Sequence, residues 1–223
     1  MKKYDVIIVG AGPMGIFTAY ELMTKAPQLK VLLVDKGHDL EGRKCPILGG
    51  IIQQCPQDKT GYSGCKPACS MTSGFGGSGA YSDGKFNITN EFGGWMSEYL
   101  HEDEVLSLIK YVDSINLNHG APQETTDPNS LKVYEIEKKS IAAGLKLLRS
   151  EVRHLGTEVN LKVLASINKT LKEKIDFLFK TTIIDLIIEN NKVVGVITDK
   201  DEKIYAEMVS LGIGRGGSDW LNK

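Results

Sequence analysis

The sequence predicts a mixed α/β fold built around a parallel β-sheet. Residues 6–9 and 31–34 are short apolar runs, which is typical of strands buried on both faces of a parallel sheet. A glycine-rich turn and a helical segment separate the two runs, as a strand–helix–strand unit requires. Near the C-terminus, apolar stretches separated by polar turns predict several short strands in succession.

Composition and charge argue against two classes of protein. The chain has 223 residues, and its 27 basic and 28 acidic side chains give a net charge of −1, which does not favour nucleic acid binding. Its apolar runs are shorter than the roughly 18 residues that a membrane-spanning helix needs. Asp5 and the glycines after it interrupt the apolar stretch that a signal peptide would have. We therefore expect a cytoplasmic protein without a membrane span.

The turn after the first strand, GAGPMG at residues 10–15, fits the pattern G-x-G-x-x-G. In this pattern Gly10 allows the tight turn, Gly12 lets the backbone approach a pyrophosphate, and Gly15 lets strand and helix pack closely. The helix that follows points its N-terminal N–H groups at the phosphates. The sequence therefore predicts a Rossmann-like dinucleotide site. The residues expected to line it are Gly10, Gly12, Pro13, Met14 and Gly15.

The second strand ends in Asp35, at the position where an acidic residue accepts hydrogen bonds from ribose hydroxyls. The same carboxylate would repel a 2′-phosphate, so NADP is disfavoured at this site. The turn and Asp35 do not distinguish NAD from FAD. A glycine turn without a ligand is the alternative interpretation.

Helices and strands alternate through the rest of the chain. Residues 103–116 carry apolar side chains at helical spacing and a charged outer face, which predicts a helix. The next predicted elements are a strand at 131–136, a helix at 138–143 ended by Gly144, a strand at 145–152 and a helix at 157–174. The C-terminal strands are predicted at 177–179, 182–188, 192–198 and 203–206, followed by a separate buried strand at 208–212.

Five motifs carry a resemblance to a known family. They are GRKCP at 42–46, GFGGSGAYSDGK at 74–85, GGW at 93–95, RHLGT at 153–157 and LGIGRGGSDWL at 211–221. With these motifs the chain resembles the bacterial FAD-dependent dehydrogenases of the two-dinucleotide-binding-domain flavoprotein superfamily. The resemblance implies a Rossmann-like FAD/NAD(P)-binding domain with a parallel sheet and a β-meander.

The resemblance also implies a domain division. Residues 1–85 and 157–223 would form the FAD-binding domain, and residues 86–156 would form part of an inserted α+β substrate domain. Members of the family are longer, and their late Gly-Asp motif has no counterpart here, so we expect an N-terminal fragment.

FAD is the cofactor that the resemblance implies. The further residues expected to contact it are Lys36, Arg43, Gly76, Gly77, Ser78, Gly79, Ser82, Asp83, Ile183 and Gly214. Gly76 to Gly79 would line the pyrophosphate and ribityl side, and the backbone of Ile183 would contact adenine. Ser82, Asp83 and Lys85 would approach the isoalloxazine. A mobile surface loop is the alternative for residues 74–85.

Lys85 and His154 are the predicted catalytic residues. A lysine beside the flavin stabilises the negative charge of the reduced ring. His154 has the chemistry of an acid or base for a substrate proton, although a histidine is more often a packing or hydrogen-bonding residue. Arg153 is a candidate ligand of a carboxylate or of the flavin phosphates.

The cysteines are confined to one segment of the chain. Cys45, Cys55, Cys65 and Cys69 match neither the common zinc spacings nor those of ferredoxins. Three interpretations stay open: ligands of zinc or an Fe–S cluster, a redox dithiol, or four unrelated thiols.

The function predicted from these features is that of a FAD-dependent oxidoreductase. A small-molecule substrate would exchange a hydride with FAD, and NAD(P)H is a candidate electron donor. The first alternative is a truncated, non-catalytic dinucleotide-binding module or scaffold. The second is an NAD-dependent dehydrogenase.

Overall fold

The computed structural model describes residues 3–55, 65–214 and 217–222. The chain divides into two compact units, Met1–Tyr81 with Leu164–Lys223, and Ser82–Val163. The elements in chain order are β1 (Lys3–Val9), α1 (Pro13–Lys25), β2 (Val31–Val34), β3 (Lys85–Ile88), α2 (Glu102–Asn118), α3 (Leu131–Ala142), β4 (Glu151–His154), α4 (Gly156–Lys172), β5 (Asp176–Leu178), β6 (Ile183–Glu189), β7 (Lys192–Thr198), β8 (Lys203–Leu211) and α5 (Ser218–Leu221). The division into a nucleotide domain and a substrate domain stays a prediction.

One sheet of six strands forms the centre of the first unit, in the order β5-β2-β1-β8-β7-β6. Strand β1 is parallel to β2 and β8, and β2 is parallel to β5. Strands β6, β7 and β8 follow one another in antiparallel pairs. The middle of the sheet is buried, with Ile7, Ile8 and Leu33 at 0% exposure. The predicted α/β fold with a parallel sheet and a β-meander is therefore confirmed.

Strand β8 joins the two parts of the sheet and corrects the predicted boundary near residue 207. The sequence predicts two strands at 203–206 and 208–212, whereas the structure has one continuous strand, Lys203–Leu211. Its first residues pair with β7, and its length from Tyr205 to Leu211 pairs with β1. Because β1 pairs with β8 on both sides of Glu207, at Ala206 and at Met208, no break is needed there. The prediction of a buried strand at 208–212 is also wrong, since Met208 is 63% exposed.

Helices α2 and α3 test two predictions in the second unit. The predicted helix at 103–116 is confirmed by α2, whereas the predicted strand at 131–136 is wrong because these residues lie in α3. The side chain of Ser130 accepts a hydrogen bond from the N–H of Val133 and caps this helix. The predicted strand at 145–152 forms only at its last two residues, because β4 begins at Glu151. In the described part of the chain, no helix has the length and apolar character that crossing a bilayer requires.

A buried ion pair anchors β4 to α2. Nε and Nη2 of Arg153 each lie 2.7 Å from an oxygen of Asp113, and Nη1 donates to the carbonyl of Pro122. The exposed fractions of the two side chains are 6% for Arg153 and 11% for Asp113. Arg153 is therefore committed to Asp113, which argues against its expected role as a ligand of a carboxylate or phosphate.

We expect Asp113→Ala to destabilise the protein strongly, because the substitution leaves the Arg153 guanidinium buried without its carboxylate. Breaking one partner of a buried pair costs about 3–5 kcal/mol of unfolding free energy. The measurement is urea unfolding followed by circular dichroism. Glu137→Ala is the control. Glu137 pairs with Arg149 and is more exposed than Asp113, so its removal should change stability much less. Equal losses in the two variants would contradict the assignment.

Candidate functional site

The carboxylate of Asp35 connects three separate segments of the first unit. Oδ2 accepts a hydrogen bond of 2.8 Å from the N–H of Ala11, in the first glycine turn. Oδ1 accepts from the N–H of Gly37 at 2.7 Å and from the N–H of Gly74 at 2.9 Å. The first turn, the turn after β2 and the glycine-rich segment are thus held at the end of the parallel sheet by one side chain.

The first turn requires glycine at two positions because backbones approach there. Gly10 has a φ of 105°, and a Cβ on it would lie 2.3 Å from the carbonyl oxygen of Gly212. A Cβ on Gly15 would lie 1.8 Å from the carbonyl oxygen of Gly10. Gly12 differs, since a Cβ there would meet no atom within 4 Å. Gly12 is also the N-cap of α1 and has no side chain to bond the first N–H groups of that helix.

The glycine-rich segment packs on this turn. The N–H of Gly76 donates to the carbonyl of Ala11 at 2.8 Å, and the N–H of Phe75 donates to the carbonyl of His38 at 3.1 Å. A Cβ on Gly77 would lie 3.1 Å from Cα of Gly12. Phe75 is fully buried. This packing brings Gly12, Gly76 and Gly77 together and argues against the mobile-loop alternative for this part of the segment.

Arg43 bonds the start of the glycine-rich segment and the residues just before it. The guanidinium donates to the carbonyls of Ser70, Phe75 and Met71, at 2.8, 2.6 and 3.0 Å. The side chain is buried and lies 5.0 Å from the centre of the Tyr81 ring. Burial lowers the pKa of Arg43, and the negative charge of Asp35 acts in the opposite sense. The geometry favours a positioning role for Arg43 over the direct cofactor contact expected from the sequence.

We expect Arg43→Met to loosen the glycine-rich segment, because three carbonyl groups lose their shared donor. Each buried polar group left without a partner costs about 1–3 kcal/mol. The unfolding free energy should fall accordingly, and limited proteolysis should cut the segment containing residues 70–79 faster. Lys44→Met is the matched control, since the neighbouring Lys44 is exposed. If the two variants behave alike, Arg43 does not hold the segment.

The second unit brings together three of the predicted residues. Lys85 and His154 face each other in the antiparallel pair β3–β4. Asp83 lies 2.7 Å from Nζ of Lys85 and 3.1 Å from Nε2 of His154. The sequence predicted Lys85 and His154 as catalytic and Asp83 as a cofactor contact, but it did not predict that Asp83 contacts both.

The remaining predicted cofactor residues are dispersed over several segments. Lys36 follows Asp35 and is half-buried, and Ser78 and Gly79 lie in a short 3-10 helix, Gly77–Tyr81. Gly214 follows β8 with a φ of 59°. Ile183 begins β6 and packs its side chain into the core. Ser82 is exposed. Arg215 and Gly216, which follow Gly214, lie outside the described residues. The contacts of these residues with a cofactor stay predictions.

The four cysteines do not form a ligand set in the described residues. No three Cys, His, Asp or Glu side chains there come together in a group that could hold a metal ion. No disulfide joins the cysteines. Burial raises the pKa of Cys69, but hydrogen bonds from Met71 and Thr72 and the charge of Arg43 outweigh it and lower the pKa below its usual value. The metal-ligand hypothesis has no geometric support, and residues 56–64 lie outside the described residues.

Three close backbone approaches were missed by sequence reasoning. Gly212 follows β8 as Gly10 follows β1, and its N–H donates to the carbonyl of Val9 at 2.7 Å. A Cβ on Gly37 would lie 2.3 Å from the backbone nitrogen of Gly74, and one on Gly74 would lie 2.2 Å from the carbonyl oxygen of His38. Of these approaches, only the one at Gly212 has a signal in the sequence. Gly10 directly follows β1 and Gly212 directly follows β8, and these strands are parallel neighbours.

The chain matches no protein-family model. Over 52 residues it is 40% identical to a mitochondrial L-2-hydroxyglutarate dehydrogenase of Caenorhabditis elegans, and 38% identical to the protein of the same name from Caenorhabditis briggsae. Each match spans 23% of this chain and 12% of the relative's length.

Solved structures of oxidoreductases resemble most of the chain. Quinol fumarate reductase FrdA of E. coli has a TM-score of 0.54 at 13% identity, and the match covers 97% of this chain and 34% of that chain. A 3-ketosteroid-Δ4-(5α)-dehydrogenase of Rhodococcus jostii RHA1 has a TM-score of 0.52 at 12% identity, with coverages of 94% and 45%. Glycine oxidase of Bacillus cereus has a TM-score of 0.51 at 15% identity, with coverages of 98% and 57%. This chain shares with these neighbours a Rossmann-like α/β fold.

Proposed function

We propose that this chain carries the FAD-binding part of an oxidoreductase that exchanges a hydride between a small-molecule substrate and FAD. The observation that carries the proposal is the packing of the Gly74–Gly77 backbone on the first turn, beside the open position of Gly12. The similarity in fold to a reductase, a dehydrogenase and an oxidase supports redox chemistry. FAD, when bound, supplies the hydride transfer, and the protein binds and orients it.

The residues around Gly12 fit the pyrophosphate of such a cofactor. The space at Gly12 lets phosphate oxygens approach the backbone, and the first N–H groups of α1 have no side-chain cap. The first turn of α1 contains no acidic residue that would repel the phosphates. Gly76 and Gly77 lie against the same turn and form the second wall of this proposed site.

Asp35 fits the ribose of the adenosine half. A carboxylate has about four acceptor positions on its two oxygens. Three of them are used by the N–H groups of Ala11, Gly37 and Gly74, which fix the orientation of the carboxylate. The remaining capacity is available to a ribose hydroxyl, and the negative charge disfavours a 2′-phosphate.

On the substrate side, Lys85 and His154 of the second unit are the proposed catalytic residues. Lys85 supplies positive charge, and His154 accepts or donates a substrate proton. NAD(P)H is the proposed electron donor, and a cytoplasmic location is part of the proposal. The competing hypothesis is a binding module that holds the dinucleotide without turnover.

We expect Gly12→Val to weaken FAD binding tenfold or more while leaving the fold intact. Gly12 has a φ of −77°, and a Cβ built on it meets no protein atom within 4 Å, so the added side chain would occupy the proposed position of the phosphates. A tenfold loss corresponds to about 1.4 kcal/mol of binding free energy. Titration of the chain with FAD, followed by flavin fluorescence, measures the affinity.

Gly94→Val is the control for this prediction, since Gly94 also has open space and lies in the other unit. Its FAD affinity should equal that of the unchanged chain. Tight FAD binding by Gly12→Val would contradict the proposed phosphate position.

Stopped-flow reduction distinguishes the oxidoreductase from the binding module. The FAD-loaded chain is mixed with NADH or NADPH in one experiment and with dithionite in another, and flavin absorbance is followed. An oxidoreductase domain should exchange electrons with a donor and then with an added acceptor. FAD bound tightly but unreactive toward every donor would favour the module.

A further inference from the structure

The cluster of Asp83, Lys85 and His154 lies at one end of the β3–β4 pair. The register of the two strands places Lys85 opposite His154, and the side chains are 59% and 50% exposed. Arg153, the preceding residue on β4, is buried with Asp113. Because successive side chains of a strand point to opposite faces, the burial of Arg153 turns His154 outward.

The backbone around Gly84 brings Asp83 to both basic residues. Gly84 has a φ of 63°, a conformation that favours glycine. A Cβ on Gly84 would lie 3.1 Å from Cβ of Leu155, and the N–H of Leu155 donates to the carbonyl of Gly84 at 2.9 Å. This hydrogen bond joins the turn before β3 to the end of β4 and so places the backbone of Asp83 beside that of His154.

The charges of the cluster determine which ring nitrogen carries the proton. A hydrogen bond from Lys85 lowers the pKa of Asp83 most, and one from His154 lowers it further. The side chain is therefore a carboxylate, which only accepts hydrogen bonds. Nε2 of His154 must then be the donor in the contact of 3.1 Å. A neutral imidazole has one donor and one acceptor nitrogen. Nδ1 is therefore left as the acceptor.

We propose that Asp83 is a positioning residue that fixes His154 as the Nε2–H tautomer, so that Nδ1 is the atom that exchanges the substrate proton. The proposal rests on the proposed oxidoreductase function. In oxidation of a substrate hydroxyl or amine, the O–H or N–H bond breaks and its proton goes to the Nδ1 lone pair. The bonding electrons stay on the heteroatom and form its double bond to carbon, while that carbon gives up a hydride that FAD, when bound, would accept. Reduction of the product reverses these steps.

Folding stability does not account for this arrangement. Ion pairs as exposed as these contribute little to the free energy of unfolding. A carboxylate that orients a histidine through one ring nitrogen is, in contrast, the arrangement by which proton-transfer histidines are held in one tautomer. Lys85 also lowers the pKa of Asp83, but the contact between Asp83 and His154 does not depend on it.

The test is the tautomer of His154 in the full chain without FAD, measured by long-range proton–nitrogen NMR of the ring at alkaline pH. We expect the unchanged chain to show Nε2 protonated and Nδ1 unprotonated. In Asp83→Asn, an amide N–H can donate to Nε2, and the Nδ1–H tautomer should increase. Asp83→Ala should show a mixture of the two tautomers. Lys85→Met is the matched control, since it leaves the contact between Asp83 and His154 in place.

Equal tautomer populations in the unchanged chain and both Asp83 variants would overturn the proposal. A second measurement needs no substitution. The pKa of Asp83, followed by NMR of its carboxyl carbon, should lie below the usual range of aspartate. Titration in the usual range would show that the cluster does not form in solution. Both measurements are made without FAD, so a failure of FAD binding would contradict the proposed function while the assignment of the His154 tautomer to Asp83 would stand.

Discussion

The three hydrogen bonds that Asp35 accepts are the constraint on which the first unit depends. Backbone N–H groups from residues far apart in sequence, Ala11, Gly37 and Gly74, converge on one carboxylate at the end of β2. Charge-assisted bonds of this kind are stronger than bonds between neutral groups. Asp35 thus aligns the two glycine segments that form the walls of the proposed phosphate site, and it keeps acceptor capacity for a ribose.

Close approach of backbones explains why so many glycines lie near this carboxylate. Gly10 meets Gly212 where β1 and β8 end side by side, and Gly37 meets Gly74 where two turns cross. Any side chain at these positions would force the segments apart. Gly12 is different, because the space beside it holds no protein atom. The glycines that make the fold can therefore be separated from the glycine that leaves room for a ligand.

Two buried arginines hold segments of the two candidate sites through contacts within the protein. Arg43 binds the carbonyl of Phe75 in the glycine-rich segment and the carbonyls of Ser70 and Met71 just before it. Arg153 pairs with Asp113 and so presents His154 at the surface of the second unit. In each case a guanidinium with several fixed donors bonds groups from more than one residue of the unit.

The sequence by itself determined strands β1 and β2, the first glycine turn and Asp35, because these features depend on local patterns: apolar runs, G-x-G-x-x-G, and an acid at a strand end. Only the tertiary structure decided what depends on contacts between distant residues. Strand β8 continues through Glu207 because its pairing with β1 runs from Tyr205 to Leu211, beyond the end of its pairing with β7. Arg43 is buried because it bonds backbone carbonyl groups, and Arg153 is buried because it bonds the carboxylate of Asp113. Asp83 meets His154 because the β3–β4 register places residues 85 and 154 side by side, which no local pattern encodes.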